Sequence, residues 1–242
     1  MRAIFLALVA AVLAGCVQPA DLRADGTAAV AGGVAVMGTN AVFGAVQAAR
    51  GIVTRIDVPY DPGPAPAAVA GAAAEAVSVT GQDRRGPEGA AVGIILNQVL
   101  AGQGPGAKNG FPIVVTNDLP ATVASGLGQT LTAQGYRLAP TGAQVVVQLV
   151  RATVAFRLDH ALSYADGRIA VVVKVLDGAG HLDFAHYYET AGMSLNDSVL
   201  WSADGRSARE SLIAALRSTV QAVAVDPQFQ AAVRSAQPRA AT

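Results

Sequence analysis

The residues of this chain best suited to acid–base or metal chemistry are its three histidines, His160, His181 and His186. Two of them fall in His181-Leu182-Asp183-Phe184-Ala185-His186, with a carboxylate between. One reactive centre needs both imidazoles on the same side. On a regular strand side chains alternate, so an odd separation sends His181 and His186 to opposite faces. His181 and Asp183 share a face, but two ligands fall short of a zinc site, and His160 lies in another segment. The histidines therefore read as hydrogen-bonded or solvent-facing side chains, with no metal and no cofactor expected. Nucleophilic chemistry fares no better. The chain has no Gly-x-Ser-x-Gly turn, Ser125-Gly126 falls inside a predicted helix, and Ser207 reads as a helix cap. Gly102-Gln103-Gly104-Pro105-Gly106 lacks the Lys-Ser/Thr ending of a phosphate loop, and Pro105 removes an amide such a loop would use. What is left is contact chemistry. Arg84 and Arg85 at a strand end and Trp201 in a polar connection are candidate partner contacts, and Tyr187-Tyr188 places one ring on each face of a strand, one of them in the core.

The single cysteine, Cys16, has a better-defined role. One thiol can form neither an internal disulfide nor a cysteine-based zinc site. It is preceded by Met1-Arg2, an apolar run from Ala3 to Ala14, and the small residues Ala14-Gly15. That run suits a signal peptide and is short of the roughly 20 residues of a transmembrane helix. Leu13-Ala14-Gly15-Cys16 is similar to the lipobox of bacterial lipoproteins, which implies cleavage after residue 15 and a diacylglyceryl group on the Cys16 sulfur. Acyl chains contribute about 0.8 kcal/mol per buried methylene, so two or three give stable anchorage. Val17 in place of Asp after the cysteine resembles the pattern of outer-membrane sorting, with the inner membrane as the other address.

The 242 residues exceed what one domain of about 150 to 200 residues requires. Hydrophobic residues are 52% and aromatics 5%, so the core is built from small side chains. Seventeen basic residues balance seventeen acidic ones, which leaves no field to draw nucleic acid, and none is expected as a partner. Residues 16–75 read as an Ala/Gly/Pro-rich tether without persistent period. About 59 flexible residues have an r.m.s. span of roughly 40 Å, enough to hold a domain clear of a bilayer. The uncharged stretch Ala28 to Ala49 is too rich in glycine and polar residues to favour spanning, and a span there would return the domain to the cytoplasm.

Residues 76–236 read as the folded domain and 237–242 as a tail. Val77 and Val79 alternate with Ser78 and Thr80 as a strand, and Pro112 to Thr116 is a second strand. Asn117 or Asp118 caps a helix with Pro120 in its first turn and Leu119, Val123, Leu127 and Leu131 along one face, closed by Gly135. Tyr136 to Leu138, Gln144 to Phe156, Arg168 to Leu176 and Leu182 to Met193 form a strand meander, the last two joined through Asp177-Gly178-Ala179-Gly180. Ser207 with Glu210 reads as a capping box opening a helix striped with Leu212, Ile213, Leu216, Val220 and Val223. Asp226-Pro227 starts a short terminal helix with Phe229 and Val233. The predicted class is α+β: an antiparallel meander sheet with two main helices packed on one face, preceded by a low-complexity tether.

With the elements in place, the chain resembles the YajG-like family of uncharacterised bacterial lipoproteins. The likeness is carried by Val77-Ser78-Val79 with Asp83-Arg84-Arg85, by Leu131-Thr132-Ala133-Gln134-Gly135-Tyr136, by the strand from Val145 to Val150, by the Gly178-to-Tyr188 hairpin and by Val220 to Phe229. It covers Ala76 to Val233 and implies no catalytic residue. The expectation is a lipid-anchored, non-enzymatic lipoprotein of the cell envelope that presents a small domain to a protein partner in the periplasm. The alternative is an auxiliary lipoprotein of an envelope ABC-type lipid or solute transporter, which predicts a concave apolar surface. A hydrolase of envelope material would need an acid–base pair that these residues do not assemble.

Overall fold

A computed structural model of the chain describes residues 54–64, 66–86, 89, 91–96, 110–159, 162–196 and 205–237. The chain divides into two compact units, one made of Met1–Val53 with Ile95–Phe111 and the other of Thr54–Ile94 with Pro112–Thr242. Among the described residues, the second unit holds the α-helices and nearly all of the sheet. In chain order the elements are β1 (Thr54–Ile56), β2 (Ala76–Asp83), β3 (Ala91–Leu96), β4 (Gly110–Val115), α1 (Leu119–Ala133), β5 (Arg137–Leu138), β6 (Ala143–Asp159), β7 (Leu162–Leu176), β8 (Leu182–Asn196), α2 (Arg206–Val225) and α3 (Pro227–Ser235).

The fold is α+β, an eight-stranded mixed sheet with helices on one face. The meander is present as β6–β7–β8, three long antiparallel strands. Four further pairings are parallel, β2 on β6, β5 on β2, β3 on β6 and β1 on β4, and β4 lies beside β3. Strand β6 is long enough to carry β2 along Ala143–Leu149 and β3 further on, at Val154. A bulge at Val150 keeps the facing in step, so Val145, Val147, Leu149, Ala152 and Val154 all turn to the buried side. Opposite them Val175, Val173, Val171 and Ile169 are fully buried. The alternate residues, such as Arg151, Arg168 and Tyr187, stand exposed on the other face.

Helix α2 lies against β7 and β8, and α1 against β2. The closeness of α2 depends on two glycines paired across the strands, Gly167 and Gly192. A Cβ on Gly167 would stand 2.6 Å from the Ser211 carbonyl carbon, and one on Gly192 would stand 2.3 Å from the Ala215 amide nitrogen. The helix answers with small buried residues, Ala208, Ser211, Ala215 and Thr219, and Thr190 Oγ1 donates to the Ala215 carbonyl at 2.8 Å. Leu212, Leu216, Val220 and Val223 of the expected stripe are buried, whereas Ile213 is half-exposed. Helix α3 starts at Asp226, whose carboxylate accepts from the Gln228 amide at 2.8 Å, and it buries Phe229 and Val233 completely.

Two expectations are corrected. Ser207 and Glu210 do not form a capping box. Helix α2 begins one residue before Ser207, so Ser207 is already inside its first turn. The cap is Gly205 with φ 76°, and Glu210 instead accepts from Ser194 Oγ of β8 at 2.7 Å. The second concerns the stretch before Ala76. Residues 54–64 and 66–75 pack with the sheet and its helical layer. Strand β1 pairs with β4, Val58 is fully buried, and Asn117 reads the Val58 backbone on both sides, accepting from its amide at 2.9 Å and donating to its carbonyl at 3.0 Å. Beyond it a strap crosses both helices. Tyr60 sits over Gly126 and its hydroxyl meets Thr130 Oγ1 at 2.7 Å, while Arg209 donates to the Asp57 carbonyl and Arg217 to the Asp61 carbonyl and carboxylate. Asn117 is thereby taken from capping, and Asp118 caps α1 by accepting from the Ala121 amide at 3.0 Å.

Candidate functional site

An open groove of about 560 Å³ lies between β2 and α1. Three pieces of local folding shape it. Asp118 caps the start of α1, and the Pro120 carbonyl comes so close to Gly81 that a Cβ there would stand 2.3 Å away. The far end of α1 closes in a glycine turn: the Gly135 amide bonds the Thr132 carbonyl and the Tyr136 amide bonds the Leu131 carbonyl, both at 3.0 Å, with Gly135 at φ 104°. That turn buries Tyr136 and delivers the chain into β5, which pairs with the start of β2 through Ala76 and Val77. Leu138 then comes to 3.5 Å from where a Gly128 Cβ would be, and Ala139-Pro140 closes one end of the groove.

The wall along α1 consists of Ala121, Ala124, Ser125, Gly128 and Gln129, and the opposite side is β2 itself, with Val79 and Gly81. No lining residue carries a charge. The site has hydroxyls, an amide side chain and main-chain groups, and no acid–base pair.

The residues singled out from sequence lie elsewhere. Asp83 and Arg85 form an ion pair at the end of β2, with Arg85 Nε to Asp83 Oδ1 at 3.0 Å and Nη2 to Oδ2 at 2.7 Å. The hydrogen bond from Arg85 holds the Asp83 carboxyl below the usual range against a smaller opposing effect of burial. The Arg84 amide continues the ladder by donating to the Leu149 carbonyl, and its side chain is exposed. His181 lies in the β7–β8 turn ahead of a bulge at Asp183, so the regular-strand alternation does not apply there. Asp177 gathers that turn, accepting from the Ala179 and His181 amides at 2.9 and 2.8 Å and facing His181 Nδ1 at 3.1 Å. His186 stands apart from it in an aromatic row, 6.1 Å from Phe184 and 4.7 Å from Tyr188 between ring centroids. The structure does not bring the two histidines together. Among the described residues no group of three or more His, Cys, Asp or Glu is placed to hold a metal. Cys16 with Leu13, Ala14 and Gly15, as well as His160 and Trp201, lie outside the described residues.

Tyr187 and Tyr188 do take opposite faces. Tyr187 is exposed and donates to Glu189 at 2.7 Å, which also receives Arg151 at 3.1 Å. Tyr188 is buried and donates to Asp226 at 2.5 Å. Burial and the bonded carboxylate push the Tyr188 hydroxyl far above the ordinary tyrosine range. Burial raises Asp226 in turn, but the bonds it accepts from Tyr188 and from the Gln228 and Phe229 amides hold it below the usual range on balance.

Sequence reasoning did not find the groove. Its one signal is the second face of α1, where Ala121, Ala124, Ser125 and Gly128 recur at helical spacing beside the larger stripe.

The geometry defines a class first: a one-sided α+β domain with an uncharged groove at a sheet edge, in which, among the described residues, no helix is long and apolar enough to cross a membrane. A family model described as "uncharacterized lipoprotein" matches residues 62–234, and the chain belongs to that family. The match begins after β1 and ahead of β2. A comparison with curated proteins gives no match. Among solved structures, the chain is similar to a minor lipoprotein from Acinetobacter baumannii, at 16% identity over 50% of this chain and 87% of that one, with a TM-score of 0.34. It is also similar to a DUF330 protein from Xanthomonas campestris, at 12% identity over 76% and 95%, with a TM-score of 0.38.

Proposed function

We propose that this chain is a lipid-anchored lipoprotein of the outer membrane, whose domain faces the periplasm and works by binding a protein partner rather than by catalysis. The observation that carries the reading is Leu13-Ala14-Gly15-Cys16 standing ahead of a domain of a lipoprotein family. An uncharged groove and the exposed side chains Arg151, Arg168 and Tyr187 on the other face of the sheet support binding as the task. Cys16→Ser removes the acyl acceptor. It should abolish metabolic labelling by palmitate and move the protein from the outer-membrane fraction to a soluble one. Retention of that variant on membranes through an alkaline wash would overturn the anchor. The concave groove also suits the second reading, an auxiliary subunit of an envelope ABC-type transporter. Purification of the lipidated protein with transporter subunits, lost on Ser125→Phe in the groove, separates that reading from the first.

A further inference from the structure

Strand β2 has β6 along one edge, while β5 covers only the beginning of the other. The hydrogen bonds fix which way each main-chain group points. The Glu75 and Val77 carbonyls accept from Arg137 and Ala139, so the odd-numbered residues of β2 turn their N–H and C=O groups away from β6. The Arg84 amide reaches the Leu149 carbonyl of β6, which places the even-numbered residues on the paired side. β5 ends at Leu138, and among the described residues the ladder stops at the Ala139 amide, with no further amide donating to Val79. Past that point the main-chain donors and acceptors of Val79 and Gly81 open onto the groove, with no backbone partner among the described residues. Folded proteins usually blunt an unused edge with a lysine, a proline or a bulge. Val79-Thr80-Gly81 carries none of these.

We propose that an extended, uncharged peptide segment of a partner protein docks in this groove as an added strand on β2, hydrogen-bonded to Val79 and Gly81, with small side chains against α1. The inference rests on the reading of the domain as a binding module and supplies the chemistry of its partner. Two arguments select this occupant. The first is charge: no acidic or basic side chain lines the groove, so an ionic ligand would be desolvated without a counter-charge, whereas an extended main chain matches the edge donor for acceptor. Apart from Gln129, the α1 residues of the wall are no larger than serine, which leaves room for that backbone and for small side chains. The second is size. At roughly 3.3 Å per residue the edge from Ser78 to Asp83 takes one strand of about six residues, far less than the roughly 1,200–2,000 Å² that a stable interface between two folded copies buries.

Residue-resolved hydrogen exchange on the lipidated full chain in detergent tests this, with acetyl-Thr-Val-Ala-Val-Ser-Val-amide as the probe. Without peptide, the Val79 and Gly81 amides should exchange at least 100-fold faster than those of Thr80 and Gln82. Saturating peptide should slow both by tenfold or more, the same peptide N-methylated at alternate residues should not, and Ser125→Phe should abolish the effect. Ser125 is exposed, so that variant keeps its fold, checked by an unchanged melting temperature. No protection at millimolar peptide overturns the proposal. Protection already present without peptide also overturns it, marking a second copy if it disappears on dilution and a segment of this chain if it does not. None of these results bears on the Cys16→Ser fractionation, so failure here leaves the anchored-domain reading standing.

Discussion

Glu75 and Asp226 are both carboxylates beside a buried tyrosine, and they titrate in opposite directions. Asp226 receives the Tyr188 hydroxyl and two backbone amides, so its charge is satisfied where it stands. Glu75 is buried at the foot of β2 with Oε2 unpartnered among the described residues, and the nearby Tyr136 hydroxyl is unpartnered too. Burial raises the Glu75 carboxyl above its ordinary value, and Arg234 only partly offsets this. The native state therefore holds this proton more tightly than the unfolded chain. The contribution of Glu75 to stability is present below the ordinary glutamate pKa, near 4.5, and is lost as pH rises through the higher native value. At neutral pH the ionised group is a cost. Glu75→Gln keeps the shape and removes the charge, so it should raise the melting temperature at pH 7.5 by about 2–4 °C, roughly 1 kcal/mol, and by less at pH 4. Thermal melts of both proteins across pH 4–8 read this directly, and an equal or larger gain at pH 4 would contradict it.

At the scale of elements, the close approach of α2 to the sheet depends on Gly167 and Gly192. A methyl group at Gly192 would meet the Ser211 carbonyl and the Ala215 amide at 2.3 Å, and neither can turn away as a side chain would. Gly192→Ala should therefore cost about 1–3 kcal/mol through overpacking. Gly178→Ala, in the β7–β8 turn with nothing within 4 Å of the added atom, should be neutral in the same chemical denaturation. This contrast also shows what the sequence makes legible. The period of Leu119, Val123, Leu127 and Leu131 announces α1, Gly135 announces its end, and Asp177-Gly178-Ala179-Gly180 announces a hairpin, because each is decided within a few residues of itself. Gly192 looks like any strand glycine, since its reason for being glycine lies in a helix about twenty residues further on. Ser207 and Glu210 have capping-box spacing, but the helix starts earlier because Gly205 takes up the left-handed turn. The groove was hidden for the same reason: it exists because β5 stops at Leu138 while β2 runs on to Asp83, a difference in length that no local pattern states.

For the molecule as a whole, the largest difference from a reading by pattern is where the domain begins. Asp57-Val58-Pro59-Tyr60 has neither strand nor helix period, and its partners, Asn117, Gly126, Thr130 and Arg209, are 59 to 152 residues away. Composition alone makes that stretch a linker. In the structure it covers the seam between α1 and α2, and Ile56 and Val58 are core residues. A chain beginning at Ala76 should lose cooperative thermal unfolding or melt at least 10 °C lower than one beginning at Thr54. Calorimetry on the two settles the matter, and equal melting temperatures would return residues 54–75 to the linker.

The strap has a mechanical consequence as well. Any pull on the chain from upstream arrives first at the three residues of β1, then at contacts made largely by single side chains, and only later at the long ladders of β6, β7 and β8. Such an arrangement yields in stages. Modest tension would peel β1 and the strap from α1 and α2 and leave the β6–β8 ladders whole, so the weak link of the domain is the one nearest the upstream chain.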